Sequence, residues 1–339
     1  MENGKEKPFL HAMTWSRRSV VFAPYLRFGK PVCVSLTVAA VLVFSVLALQ
    51  GAYAQPPLDR VRELLQAQGC SRHALSLLFS SLENPAYGNV ALSMKVREAA
   101  LHYEAFLEPS ALAKARKFWR MHDEALERIG AVYEVDPSII VAILLVESAL
   151  GERTGKHPVA TTLVTFALML DPNEREHVWR TLSPQDRARW TRDQFHAKLE
   201  QRAFWALGEL RALLTLIDRG VPEAAQWRGS YMAAIGWPQF LPSSLLHYGA
   251  DGNGDGTVDL NHPDDAFASI ARYLKSHGWR NNALPEEQES VVLKYNNSRP
   301  YAQTVLEAAR RLRDLRSADR EGTPTSKPFS RPFAHEATS

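Results

Sequence analysis

The stretch Val135-Asp-Pro-Ser-Ile-Ile-Val-Ala-Ile-Leu-Leu-Val-Glu-Ser-Ala-Leu-Gly151 sets one carboxylate into an otherwise apolar segment. Asp136 reads as an N-cap, Pro137 as the first helical residue and Gly151 as a stop, so both ends of a helix are written into it. Residues 139–146 are apolar without exception. Such a helix is buried all round and carries Glu147, near its C-terminal end, into the core or to its edge. Loss of water raises a carboxylate pKa, and the negative end of the helix dipole acts in the same direction. The result is an acid able to hold a proton near neutral pH, the kind of group that cleaves glycosidic bonds. On this helix alone, a Glu paired with a buried Arg or a backbone amide fits equally well.

Working outward, almost every later segment reads as helix. Residues 58–80, 90–107 and 110–134 carry apolar positions three and four apart, with Pro85 and Pro109 between them. Residues 159–170 form a second apolar helix, followed by a polar stretch at 171–201 that reads as one or two amphipathic helices or as a mobile flap. A helix over 202–218 precedes a loop-rich stretch, Trp227-Arg-Gly-Ser-Tyr-Met-Ala-Ala-Ile-Gly-Trp-Pro-Gln-Phe-Leu-Pro-Ser-Ser244. Its glycines and prolines exclude a long regular element and leave Ser230, Tyr231, Trp237 and Gln239 free to offer hydrogen bonds and flat apolar faces, the mixture a sugar ring needs. A plainer reading is a turn-rich connection with Ser243 capping the next helix. Further helices are expected over 264–276 and from 301 to about 315, with a disordered Pro/Ser/Thr/Arg/Gly tail from 317.

Asp251-Gly-Asn-Gly-Asp-Gly-Thr-Val-Asp-Leu-Asn-His262 places oxygen side chains at loop positions one, three, five and nine, a glycine at six and the Thr257 carbonyl at seven. This is the calcium-loop pattern of an EF-hand. His262 stands where a bidentate Glu normally closes the shell, and Asp264 or Asp265 could close it instead. A Gly/Asp turn without metal is the alternative. No Met-rich helix pair flanks the loop, so a structural ion is expected rather than a calcium switch.

With 339 residues, 45% of them hydrophobic, the chain can bury one large or two modest cores without staples. Cys33 and Cys70 are its only cysteines, and Cys33 lies in a leader, so the mature chain has no intramolecular disulfide to form. The first 54 residues hold basic residues, an apolar run at 32–49 and Ala52-Tyr53-Ala54 as a small-residue cleavage site. That is an export signal, or an uncleaved anchor giving membrane association through 32–49; either way the bulk of the chain is expected outside the cytoplasm, in the periplasm or envelope. The leader has six Lys/Arg against two Glu, a net of +4, so the whole-chain +3 leaves about −1 for residues 55–339. Charge therefore gives no support to a nucleic-acid partner.

Four motifs in order resemble the catalytic domain of the membrane-bound lytic murein transglycosylase B family. They are Val146-Glu-Ser-Ala-Leu-Gly151, Gly229-Ser230 through Gly236-Trp-Pro-Gln239-Phe-Leu-Pro-Ser-Ser244, the metal loop running on to His277-Gly278-Trp279, and Tyr295-Asn-Asn-Ser-Arg-Pro-Tyr301. The resemblance covers residues 110–312 and implies a mainly α, α+β lysozyme-like fold with a glycan cleft. It also implies cleavage of the β-1,4 bond between N-acetylmuramic acid and N-acetylglucosamine in peptidoglycan. By the same carry-over Glu147 is the lone acid/base. Ser230, Gln239, Tyr295 and Tyr301 line the cleft with Asn296 beside them, and Asp251, Asn253, Asp255, the Thr257 backbone and Asp265 hold Ca2+. One carboxylate suffices if the substrate's own 6-hydroxyl, already beside the reacting carbon, replaces the second carboxylate of ordinary glycosidases.

Departures from the family pattern are Ser148 for the usual Thr, Leu150 for an aromatic, Pro238 for a Gly, the 171–201 insertion, and a short 279–295 segment with no room for a β-rich subdomain. The expected organisation is a leader at 1–54, an N-terminal helical segment at 55–109, a catalytic domain at 110–316 and a tail at 317–339, acting as a monomer on glycan strands. Rival readings are a lysozyme-type hydrolase, in which water attacks, and a noncatalytic glycan-binding envelope protein.

Overall fold

A computed structural model describes residues 56–96 and 102–322; the leader with its 32–49 run and the chain beyond 322 lie outside the described residues. The architecture is helical. In chain order the helices are α1 (Pro57–Ala67), α2 (Arg72–Ser80), α3 (Tyr87–Lys95), α4 (Pro109–Met121), α5 (Asp123–Tyr133), α6 (Pro137–Ser148), α7 (Val159–Leu168), α8 (Pro172–Thr181), α9 (Pro184–Arg187), α10 (Arg192–Asp218), α11 (Pro242–Tyr248), α12 (Pro263–Ser276), α13 (Pro285–Tyr295) and α14 (Arg299–Gly322). Two 3-10 turns, Tyr103–Leu107 and Pro222–Gln226, link them. The described strands, β1 (His157–Pro158) and β2 (Arg228–Gly229), pair antiparallel with His157 opposite Gly229, and bridges at Gly229–Ile235 and Ile235–Phe240 fold the loop after β2 back on itself.

The apolar helix forms as its sequence dictates. Asp136 Oδ1 accepts from Ser138 N at 2.8 Å, Pro137 opens α6, and residues 138–148 are all buried. α6 packs against α14, and the second apolar helix, α7, packs against α10. The hydroxyls of α7 tie in the N-terminal helices: Thr161, Thr162 and Thr165 accept from Glu83 N, Asn89 Nδ2 and Ala86 N at 2.9, 3.1 and 2.9 Å. Buried polar groups on an apolar helix need such partners. The hydrophobic core is accordingly continuous from Val61 in α1 to Leu312 in α14. Among the described residues no single helix is long and apolar enough to cross a membrane.

Several expectations need correction. The 58–80 pattern is two helices, broken where Gly69 takes a φ of +87°, and 110–134 is likewise split at His122 into α4 and α5. The 171–201 stretch is helical, as α8, α9 and the first turns of α10. Trp179 packs on Phe195 with ring centroids 5.0 Å apart, and Arg175 donates to the Met169 and Leu170 carbonyls at 2.8 and 3.2 Å. Ser243 is not a cap: it lies inside α11, and its N and Oγ both donate to the buried Glu209 of α10 at 2.9 Å. The last helix runs to Gly322, past the expected end near 315 and into the stretch from 317 read as tail. Its final turns are held by charge. Arg316 stacks over Trp119 at 4.7 Å and pairs with Asp123 and Glu127, while Asp319 pairs with Arg116 and Arg120.

Candidate active site

Glu147 sits one residue before the end of α6 and is 2% exposed. The chain leaves the helix through three consecutive left-handed residues, Ala149, Leu150 and Gly151, at φ +52°, +66° and +88°. Left-handed backbone at non-glycine residues costs about 1–3 kcal/mol each and persists only where the surroundings enforce it. Here Leu150 N donates to Leu144 O at 2.9 Å, Gly151 N donates to Ser148 Oγ at 3.0 Å, and Trp237 closes over the turn. A Cβ on Gly151 would lie 2.3 Å from Trp237 Cε2, so only glycine fits. The turn after the carboxylate and the loop after β2 are thereby locked together.

Tyr301, in the first turn of α14 and 1% exposed, donates its hydroxyl to Glu147 Oε1 at 2.6 Å. Burial, and then the Glu147 charge, push the Tyr301 phenol well above its ordinary value, so it remains a neutral donor. Tyr295, at the end of α13, is raised for the same reasons in the same order, and its hydroxyl donates to Pro238 O at 2.6 Å. The structure thus brings Glu147, Tyr301, Tyr295 and the Pro238–Gln239 turn into one cluster. Gln239 has a left-handed φ of +53°, and its Nε2 donates to Gly236 O at 2.8 Å and Thr154 O at 3.2 Å. Ser230 Oγ accepts from Met232 N and Ala234 N at 3.2 and 3.1 Å and orders its own loop. Asn296 is buried, and its Oδ1 has no hydrogen-bond partner among the described residues. Buried amide oxygens left this way are uncommon and call for a reason.

The Asp251–Asp265 loop is ordered by its own acidic groups. Asp251 accepts from Gly254 N and Gly256 N at 2.6 and 2.8 Å, and Asp255 Oδ1 accepts from Thr257 N and Oγ1 at 2.8 and 2.7 Å. Asn253 Nδ2 donates to Asp255 Oδ2 at 3.0 Å. Asp265, fully buried, turns into the loop and accepts from Gly252 N and Asp259 N at 2.8 and 2.7 Å. Asp264 turns away to Arg128 at 2.7 Å. The donors are all oxygen, which suits a hard cation, but among the described residues no three Asp, Glu, His or Cys side chains converge as a metal cage. A depression of about 290 Å3 beside this loop is lined by Met121, His122, Arg128 and Asp264 and includes none of the Glu147 cluster.

Three further residues make contacts that the sequence reading did not single out. Tyr103 packs edge-on against Tyr301 with centroids 6.3 Å apart, and Ser298 caps the turn that carries Tyr301. Arg202 of α10 donates to Ser93 Oγ and to Met94 Sδ, the latter at 3.2 Å; burial pushes its guanidinium down to about 10, and the Tyr231 beside it up to about 12. Ser298 lies inside a quoted motif, whereas Tyr103 and Arg202 come from outside every motif.

Against known proteins, the transglycosylase SLT domain family matches residues 54–289. The membrane-bound lytic murein transglycosylase B of Escherichia coli K12 is 30% identical over 174 residues, 51% of this chain and 40% of that protein. The chain thus spans about two-fifths of the length of that curated relative. The fold is similar to that of soluble lytic transglycosylase SltB1 from Pseudomonas aeruginosa, with a TM-score of 0.60 and 22% identity over 77% of this chain and 99% of that one. It is also similar to Escherichia coli lytic transglycosylase Slt35, solved with calcium, at 0.58 and 22% over 79% and 96%. Pseudomonas aeruginosa SltB3, solved with NAG-anhNAM-pentapeptide, gives 0.59 and 22% over 76% and 78%. The helical fold is the lysozyme-like one of these lytic transglycosylases. With a family match over more than two-thirds of its length, the chain belongs to the transglycosylase SLT domain family.

Proposed function

We propose that this protein is a peptidoglycan lytic transglycosylase that cleaves the β-1,4 bond between N-acetylmuramic acid and N-acetylglucosamine and leaves a 1,6-anhydromuramoyl end, with Glu147 as its sole general acid/base. The observation that carries the reading is the 2.6 Å bond from the buried Tyr301 hydroxyl to the carboxylate of Glu147, at the end of a helix buried on every side. Protonated Glu147 gives its proton to the glycosidic oxygen as the bond to the anomeric carbon breaks. Its carboxylate then takes the proton of the muramoyl 6-hydroxyl while that oxygen bonds to the anomeric carbon. No water is consumed, and Glu147 ends protonated for the next turnover. Tyr301 supports the ionised stage by donating to Oε1, and its raised phenol keeps it a donor throughout.

Support for a single carboxylate comes from the surroundings. Among the described residues Glu147 is the one carboxylate whose charge acts on Tyr295 and Tyr301. A hydrolase of the ordinary kind needs a second carboxylate to activate water. In the same reading Ser230, Gln239, Tyr295, Asn296 and Tyr301 line the glycan cleft, and the unsatisfied Asn296 Oδ1 suits the N–H of an acetamido group. Asp251, Asn253, Asp255, the Thr257 carbonyl and Asp265 would hold a calcium ion, which stiffens the loop between α11 and α12 and takes no part in bond cleavage. Peptidoglycan strands are the partner, the envelope is the place of action, and a monomer suffices.

Glu147→Gln tests the assignment. Turnover of purified peptidoglycan should fall below detection while the melting curve and sedimentation with insoluble peptidoglycan stay close to wild type; activity within tenfold of wild type would overturn it.

A further inference from the structure

Tyr301 can support Glu147 only if its hydroxyl is held within hydrogen-bond reach, and a tyrosine on the first turn of a helix has two ways to drift: through its backbone or through its ring. Both are braced by neighbouring groups that the proposed chemistry does not use. Ser298 immediately precedes α14. Its Oγ accepts from Tyr301 N at 3.2 Å and its carbonyl accepts from Ala302 N at 2.9 Å, so it is the N-cap that fixes the height of Tyr301 on the helix. The same Oγ lies 3.4 Å from the hydroxyl of Tyr103, whose ring meets that of Tyr301 edge-on at 6.3 Å. Ser298 is itself pinned from the other side, its N donating to Asn296 O at 2.7 Å. Ser298, Tyr103 and Tyr301 are all buried.

From this chain of contacts we infer that Ser298 is a positioning residue for the Glu147 acid/base, acting through Tyr301, with the Tyr103 ring as its second brace. The inference rests on the reading of Glu147 given above. Ser298 touches neither Glu147 nor, in that reading, the bond that breaks. Its hydroxyl joins the backbone anchor of Tyr301 to the side chain that walls in the Tyr301 ring, so one atom governs both freedoms. A bare N-cap would stabilise α14 without affecting how well Glu147 is held in either protonation state.

The test is a set of variants assayed on soluble glycan fragments, with kcat and KM separated. Ser298→Ala should lower kcat by about three- to tenfold, the scale of one intramolecular hydrogen bond, and leave KM within about twofold. Ser298→Thr, which keeps the hydroxyl, should restore kcat. In a double-mutant cycle the loss from Ser298→Ala should vanish in a Tyr301→Phe background, because there is then no hydroxyl to position. A merely structural cap predicts a lowered melting temperature, unchanged kcat and additive losses, and any of the last two outcomes overturns the inference. Glu147→Gln run beside the set separates the two failures. If it retains activity, the acid/base reading itself fails; if it is inactive while Ser298→Ala behaves as wild type or additively, only the positioning role falls.

Discussion

Removing the Tyr301 hydroxyl tests how this carboxylate works as both acid and base. The bond it makes to Glu147 Oε1 is short, 2.6 Å, and buried, with a charged acceptor after proton transfer. Bonds of that kind contribute about 1.5–3 kcal/mol, and at 1.36 kcal/mol per pH unit Tyr301→Phe should move the alkaline limb of the pH–rate profile by roughly one to two units. The direction follows from which form the bond favours. Tyr301 donates to the carboxylate, so its loss favours the protonated acid, and the form that protonates the leaving oxygen persists to higher pH. Tyr295, whose phenol the Glu147 charge also raises, keeps its own bond to Pro238 and is not altered. If the acid is about half ionised in the transition state, about half of that stabilisation is also lost from kcat, roughly a three- to thirteenfold drop at the optimum. The assay is release of soluble fragments from purified peptidoglycan across the pH range, wild type beside Tyr301→Phe. A limb that stays in place, or moves to lower pH, would refute the role given to Tyr301.

Asp251→Ala should lower the melting temperature only when calcium is present, because an ion that binds the folded chain stabilises it by mass action; a chelator that leaves the wild-type curve unmoved would reduce the loop to a turn. Glu209→Ala should cost about 2–3 kcal/mol in denaturant melts, since it strips two bonds from Ser243 at the start of α11, with Glu209→Gln costing less; a loss below 0.5 kcal/mol would contradict that tie. The Arg310 guanidinium, and with it Arg311, hold Glu307 down to about 2, against some burial. A depressed acid contributes stability that is full above its unfolded value and fades as pH falls through the folded one, so in Glu307→Gln the acid decline of the melting temperature between about pH 4.5 and 2 should be shallower. Because the group is partly exposed, the effect should shrink in high salt.

What the chain alone disclosed was local chemistry. Asp136, Pro137 and Gly151 bounded α6 because caps and stops act within a turn of the residues they bound, and Glu147 stood out because nothing else polar interrupts residues 139–146. The cluster around it was half legible. Tyr295 and Tyr301 were found through their motif, but not the bond from Tyr301 to Glu147, which joins residues 154 positions apart. Tyr103 lies 198 positions from Tyr301 in a segment without a motif, and only packing reveals it. The same limit explains the misplaced cap at Ser243, whose partner Glu209 is 34 residues earlier, and the misplaced end of α14, which ion pairs with α4 and α5 prolong where apolar periodicity has run out. The 171–201 stretch was undecided for a related reason. Its polar residues suit helix or flap, and the choice is made by Trp179, Phe195 and Arg175 meeting the rest of the fold.

The central claim is that the substrate's own hydroxyl, in place of water, closes the reaction begun by Glu147. Mass spectrometry of purified peptidoglycan digested with residues 55–339 tests it most directly, with Glu147→Gln alongside. Internal ring closure adds no water, so the products should be about 18 Da lighter than hydrolysis products and absent from the mutant digest. Products with free reducing ends would mean that water attacks, and would contradict it.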